Sequence, residues 1–252
     1  MENLHSSEFW LNHFQDNAQI SRINWQQKIE MSDREKEVIL PSLKAIQLGA
    51  TSDGKGLMQA TRKHSERHND PDYLKVVQLF VQEENKHGEN LGRYLDLLGE
   101  SRKKTDWGDS LFRWVRGLRS NMEIWTITAL IVESASQIYF HAVQEATRCK
   151  LLKEVCTDIL TDEEEHLRFQ RERLSILYNR KPLWKKSLAY FIYHLHFKLT
   201  YRVVWAGHAA VFKEGGYTYE RYRRLMHHKF NASMSLLEMN RPPELVLKAT
   251  TA

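Results

Sequence analysis

The pattern Glu-x-x-His occurs twice in this chain, at Glu84–His87 and at Glu163–His166, and each copy lies in a segment with helical periodicity. Residues three apart share one face of a helix, so each motif places a carboxylate beside an imidazole. Both motifs fall on the apolar side of their segments, whereas Glu83 and Lys86 fall off it. Two such motifs on separate helices are typical of metal sites in the core of a four-helix bundle. The pattern therefore predicts long helices that bury charged side chains around one site.

A third carboxylate, Glu133, is the only acidic or basic residue in the centre of a strongly apolar segment. A buried glutamate is costly unless it is paired, neutralised or bound to metal. Glu133 precedes Glu163 by 30 residues, and Asp53 precedes Glu84 by 31. The chain therefore contains a quasi-repeat in which a carboxylate is followed by Glu-x-x-His. Gln47, or an acid displaced along the chain, is the alternative to Asp53.

The composition favours an all-α fold, because the 252 residues include only 11 glycines and 5 prolines. We expect an N-terminal lead-in over residues 1–32, with one short helix near residues 7–17. A four-helix bundle is expected over residues 33–180, with one long crossover at residues 100–120 that includes a short amphipathic piece. Residues 181–252 are expected to form an additional C-terminal helical arm, basic and aromatic, that packs on the bundle.

Local signals give several helix boundaries. Ser32 and Glu35 form a capping box, which starts a helix at Asp33. Asp70 followed by Pro71 is an N-cap with proline at the first helical position. Pro41 is expected to break or restart the first bundle helix. The polar segment His64–Asn69 is expected to form a loop.

These motifs resemble the ferritin-like di-iron carboxylate superfamily, and the resemblance covers residues 33 to 178. It implies a four-helix bundle with two iron ions, or manganese and iron, in its core. The metal ligands implied are Asp53, Glu84, His87, Glu133, Glu163 and His166. By that match Glu84 and Glu163 bridge the metals, and His87 and His166 give each metal one imidazole. Asp53 and Glu133 are the terminal carboxylates, and Asp53 departs from the glutamate usual in the superfamily.

The resemblance also implies a reaction with dioxygen or peroxide. We expect an oxygen-dependent oxidase or oxygenase that acts on a small organic substrate and takes electrons from a donor that the sequence does not identify. The alternatives are a ferroxidase or peroxide-detoxifying protein, and a helical interaction protein without metal. Tyr139 shares a helix with Glu133 and is a candidate redox-active or second-layer phenol, although a packed core tyrosine fits the same position.

Charge is concentrated in residues 168–230, which hold fourteen Lys or Arg, three Glu and fourteen of the 27 aromatic residues. Most of those aromatic residues are expected to pack on the bundle. The basic residues are expected to form a solvated face, which includes Lys185, Lys186, Lys198 and Arg202. Peripheral contact with anionic lipid headgroups is one expectation for this arm, and a homodimer is another. Nucleic acid is the least favoured partner, because charge without a recognition motif carries little specificity.

Two features favour the cytoplasm. The N-terminus has no basic start followed by an apolar core, so no signal peptide is expected. The two cysteines, Cys149 and Cys156, lie two turns apart on one helix, too far for a disulfide, and are expected to be buried thiols in a reducing compartment.

Overall fold

The chain is all-α in a computed structural model that describes residues 4–51, 54–103 and 121–239, and no strand occurs in these ranges. In chain order the helices are α1 (Ser7–Asn17), α2 (Asp33–Ala50), α3 (Lys55–His68), α4 (Pro71–Leu97), α5 (Met122–Ala146), α6 (Lys150–Asn179), α7 (Leu183–Glu214) and α8 (Tyr219–Met239). The prediction of an all-helical bundle is confirmed. Within the described ranges, no helix combines the length and the apolar character needed to cross a membrane.

The core lies between α2, α4, α5 and α6. α2 packs against α4, α5 packs against α6, and α4 also packs against α6. Leu91, Leu130, Leu152 and Ile159 are among the fully buried side chains at their centre. Residues 98–121 separate α4 from α5, which is the longest separation between consecutive described helices. Residues 104–120, and the amphipathic piece expected there, lie outside the described part.

The helix starts predicted from caps are confirmed. Ser32 and Glu35 form both hydrogen bonds of the capping box at the start of α2, and Asp70 accepts from the backbone N–H of Tyr73 at the start of α4. Pro41 does not break α2, so that expectation is wrong. Proline has no backbone N–H, so the carbonyl four residues before it loses its helical hydrogen bond. Here that carbonyl belongs to Glu37, which is exposed to solvent.

The segment His64–Asn69 is not a loop, because α3 continues to His68 and only Asn69 leaves the helix, with φ 51°. Ala60, Thr61 and Ser65 bury one side of α3, which packs against α4. Tertiary packing of this kind stabilises a helix whose sequence is mostly polar.

The end of α2 lies close to α4, next to the point where the chain leaves α2 and starts α3. Gly54 has φ +60°, a left-handed conformation that favours glycine. On α4, a Cβ added at Gly88 would lie 2.8 Å from Cγ2 of Thr51. Glycine at position 88 therefore allows the close approach of α2 beside the first Glu-x-x-His motif.

The C-terminal helices pack on the bundle through aromatic side chains, as α7 contacts α5 and α2 while α8 contacts α6 and α5. Tyr193, Phe197, Tyr201 and Phe212 are buried. The expectation that Lys186 lies on the solvated face is wrong. Its ammonium is buried, donates to Oδ1 of Asn179 at 3.1 Å and lies over the Tyr178 ring.

Candidate metal centre

Three helices bring five of the six predicted ligands together in the core. α4 carries Glu84 and His87, α5 carries Glu133, and α6 carries Glu163 and His166. Their candidate ligand atoms form two groups, each with its atoms within 4.8 Å of one another. One group is Glu84, Glu133 and His166, and the other is Glu84, His87 and Glu163. Glu84 belongs to both, so the arrangement is that of a two-metal site with one shared carboxylate.

The sixth predicted ligand, Asp53, lies outside the described residues, and its role stays a prediction. Gln47, the alternative to Asp53, is buried on α2, and its side-chain amide donates to the carbonyl of Gly88 at 3.4 Å. That contact ties α2 to α4 next to His87.

Several buried polar atoms of the cluster lack a hydrogen-bond partner among the described residues. Oε2 of Glu133 and Oε2 of Glu163 are two of them, while Oε1 of Glu84 and Nδ1 of His166 face each other, 3.1 Å apart. Each unpaired buried polar group costs about 1–3 kcal/mol, so the site is incomplete without a further binding group. Carboxylate oxygens and imidazole nitrogens are ligands that suit iron and manganese. The residues therefore fit a metal pair.

The charges of the cluster also favour bound cations. Burial, with the nearby carboxylates of Glu163 and Glu84, raises the pKa of Glu133 well above its ordinary value. Burial and the charge of Glu84 raise the pKa of Glu163 to about 8. Burial alone would lower the pKa of His166, but the carboxylates of Glu83 and Glu84 raise it well above its usual range. Divalent cations would stabilise the ionised forms of Glu133 and Glu163, which this site otherwise disfavours.

A second layer of carboxylates orients the two imidazoles crosswise. Nε2 of His166 on α6 lies 2.7 Å from Oε2 of Glu83 on α4. Nε2 of His87 on α4 lies 2.9 Å from Oδ2 of Asp162 on α6. Each acid immediately precedes the glutamate of its own motif and holds the histidine of the other. The two Nδ1 atoms face Glu84, at 3.1 Å for His166 and 3.7 Å for His87. With a metal bound, a proton on each Nε2 would serve these carboxylates and leave each Nδ1 as a ligand.

The sequence motifs alone did not identify this second layer. Glu83 falls off the apolar side of its segment, yet it is buried, and Asp162 is buried as well. The available signal was an acid directly before each Glu-x-x-His.

The N-terminal segment completes the second layer. The amide of Asn17, at the end of α1, donates to Oε1 of Glu83 and, at 2.9 Å, to Oδ1 of Asp162. Arg22 donates to Oδ1 of Asp162 at 2.7 Å and to Oδ1 of Asp158 at 3.0 Å. Burial would raise the pKa of Asp162, but its hydrogen bonds with His87 and Asn17 lower it far below its ordinary value. Asp162 is therefore ionised and fixed in place.

A cavity of about 530 Å³ adjoins the cluster, and Glu84, His87, Glu133 and Glu163 form part of its wall. The remaining lining is mostly apolar and includes Leu57, Phe80, Val81, Trp125, Val132 and Val204. A volume of several hundred Å³ with few polar groups is typical of sites for small organic molecules.

Three of the polar residues in the cavity wall, Ser42, Tyr139 and His208, form one hydrogen-bonded cluster. The hydroxyl of Ser42 hydrogen-bonds the phenol of Tyr139 at 3.0 Å and lies 2.7 Å from Nδ1 of His208. His208 leaves helical geometry inside α7, with φ −131° and ψ 15°. Tyr139 is buried, and burial raises the pKa of its phenol well above normal. The tyrosine therefore belongs to a polar cluster in the cavity wall, while its predicted redox role stays a prediction.

Fold and site together define a ferritin-like helical bundle whose core carboxylates and imidazoles are positioned for a metal pair. The sequence matches no protein-family model and no curated protein significantly. Among solved structures the chain is similar to R2-like ligand-binding oxidases. One with an aerobically reconstituted Mn/Fe cofactor gives a TM-score of 0.64 at 15% identity, over 92% of each chain. Two point variants of this kind of oxidase each give a TM-score of 0.67, over 92% of this chain and 93% of theirs. The one with an aerobically reconstituted Mn/Fe cofactor is 15% identical to this chain, and the one with an anaerobically reconstituted cofactor is 14% identical. The ferritin-like resemblance is confirmed at the level of the fold.

Proposed function

We propose that this protein is a non-haem oxidase or oxygenase that uses dioxygen and a metal pair to oxidise a small apolar organic molecule. The metals would be two iron ions, or manganese and iron. The observation that carries the proposal is the position of the candidate ligands in the wall of an apolar cavity. The fold neighbours, which are described as ligand-binding oxidases with a Mn/Fe cofactor, support it.

The chain's own residues have separate tasks in this proposal. Glu84, Glu133, Glu163, His87 and His166 would hold the metals, whose chemistry is the reductive activation of dioxygen. The crosswise carboxylates would accept a proton from each Nε2 and so keep each Nδ1 directed to the metals. The apolar wall excludes water and holds the substrate against the ligands.

The polar cluster in the cavity wall would orient the substrate. Ser42, Tyr139 and His208 can exchange hydrogen bonds with one polar group on an otherwise apolar molecule. A buried hydrogen-bonding site of this kind selects against molecules that lack the matching group.

Metal analysis of purified protein tests the first step. We expect close to two bound iron or manganese ions per wild-type chain and a clear loss in Glu133→Gln, because that change removes a carboxylate that would ligate a metal. Glu145→Gln is the matched control, since Glu145 lies on the same helix and is exposed. Wild-type protein without metal, or equal metal in both variants, refutes the metal site and leaves a helical interaction protein.

Dioxygen uptake by the iron-loaded protein tests the second step. We extract the purified protein with organic solvent, identify any released molecule by mass spectrometry, and add it back during the assay. Ala129→Phe places a large side chain in the cavity wall, and we expect it to remove the extracted molecule without reducing bound metal. Rapid uptake that needs only Fe(II) and is unchanged in Ala129→Phe assigns the protein as a ferroxidase instead.

A further inference from the structure

The N-terminal half of α7 carries an apolar surface that is exposed to solvent. Eight of the twelve large apolar side chains exposed among the described residues lie between positions 183 and 199. Trp184, Leu188, Phe191, Leu195 and Leu199 are spaced by three and four residues, so they form one face of the helix, which we call the apolar stripe. Trp184 and Phe191 are 67% and 66% exposed.

The opposite face of α7 already packs on the bundle through Ala189, Tyr193 and Phe197, which are buried. The helix is therefore apolar on both sides, a pattern that is usual when both faces are covered. A contiguous exposed apolar patch of this length is typical of a surface that binds a partner.

The charge around the apolar stripe indicates what that partner is. Between Lys181 and Lys213 the chain has six lysines and arginines and no acidic residue. Lys185, Lys198 and Arg202 are exposed on this stretch. Large apolar side chains with exposed cations beside them on the same helix match a membrane surface with anionic headgroups.

We infer that the apolar stripe docks on an anionic lipid surface. Trp184, Phe191 and the leucines enter the boundary between headgroups and acyl chains, while Lys185, Lys198 and Arg202 meet the lipid phosphates. The protein lies on the membrane and does not cross it.

A second copy of the chain is a poorer match for the same face. A twofold dimer presents the same surface from both subunits. Pairing α7 with itself would bring the cations of one copy against those of the other, and the helix supplies no acid before Glu214. Like charges held together at an interface are destabilising.

Membrane docking also suggests a route for the substrate, a consequence that rests on the proposed function. Val203, Gly207 and His208, on the same helix beyond the apolar stripe, line the cavity beside the candidate metal ligands. An apolar molecule dissolved in the lipid would enter the cavity along α7.

Co-sedimentation with vesicles tests the docking. We expect binding to vesicles of phosphatidylcholine with phosphatidylglycerol, little binding to phosphatidylcholine alone, and weaker binding in high salt. Phe191→Glu/Leu195→Glu should lower partitioning at least about tenfold. Lys198→Glu/Arg202→Glu should do the same, since each cation near the surface contributes roughly fivefold.

Two controls separate docking from general effects. Arg62→Glu/Lys63→Glu makes the same change in charge on the exposed surface of α3, and Leu97→Glu adds a charge at an exposed leucine of α4. Both should bind anionic vesicles like wild type, and circular dichroism should show every variant folded.

Three results would overturn the inference. The first is that wild type does not bind anionic vesicles. The second is that the variants of the apolar stripe bind vesicles like wild type. The third is that wild type binds no vesicles but is a dimer in light scattering, and that Phe191→Glu/Leu195→Glu makes it monomeric. The last result assigns the surface to a second copy. Vesicle binding and bound metal are measured separately, so failure here is distinct from failure of the proposed oxidase function.

Discussion

Replacing Asn17 tests whether the N-terminal segment helps to build the metal centre. This side chain is the only one among the described residues that donates hydrogen bonds to both second-layer acids, Glu83 and Asp162. Those acids in turn hold His166 and His87. Asn17→Ala therefore loosens both imidazoles at once although it touches no candidate ligand.

The size of the effect follows from the contacts. A hydrogen bond to a charged group contributes about 1.5–3 kcal/mol to stability. The change removes the two bonds that Asn17 donates and the one that its Oδ1 accepts from Arg22. Arg22 still donates to Asp162, so we expect the free energy of unfolding to fall by about 2–4 kcal/mol. Loss of partners that orient metal ligands typically weakens metal binding about 10–100-fold.

The assays are urea denaturation of metal-free protein and competition for Mn(II) or Fe(II) against a chelator. Asn12→Ala is the matched control, because Asn12 lies on the same helix and is exposed. Asn17→Asp keeps the shape but replaces the donor amide with a third carboxylate, and it should weaken metal binding even if the alanine variant folds poorly. Equal metal affinity in wild type, Asn17→Ala and Asn17→Asp would refute the claim that Asn17 positions the imidazoles through Glu83 and Asp162.

Three further predictions concern the scaffold and the cavity. Hydrogen bonds from the capping-box serine and the loop after α5 outweigh burial and lower the pKa of Glu35 from 4.5 to about 2. The ionised Glu35 therefore contributes its full stabilisation above pH 4.5. Glu35→Gln should lower the free energy of unfolding by about 2 kcal/mol at neutral pH, and this difference from wild type should shrink as the pH falls towards 2. A Cβ at Gly215 would lie 2.4 Å from a backbone carbonyl oxygen of α5, so Gly215→Ala should lower the thermal midpoint clearly, whereas Gly207→Ala, with nothing within 4 Å, should be neutral or stabilising. Ser42→Ala removes the hydrogen-bond partner of Tyr139 and should cost about 1 kcal/mol of stability while lowering the amount of molecule extracted from the cavity, with bound metal unchanged.

Local patterns predicted most of the helices, because caps and periodicity act within a few turns of chain. Each local signal predicts only the helix in which it lies, as do Ser32, Asp70 and the apolar spacing around Glu133. The errors came where neighbouring helices decide the outcome. α3 continues through the polar segment predicted as a loop because α4 covers one of its sides, and α2 continues through Pro41 because the carbonyl released at Glu37 belongs to an exposed residue.

For the candidate site, the sequence by itself determined which side chains share a helical face, since the rise and turn of a helix are fixed. It therefore paired Glu84 with His87 and Glu163 with His166, and it identified Glu133 as a buried charge. Only the tertiary structure decided what those faces meet, because that depends on the rotation and packing of helices distant in sequence. The crosswise hydrogen bonds, the contacts of Asn17 and Arg22 with the second-layer acids, and the apolar cavity beside the ligands all arise from that packing.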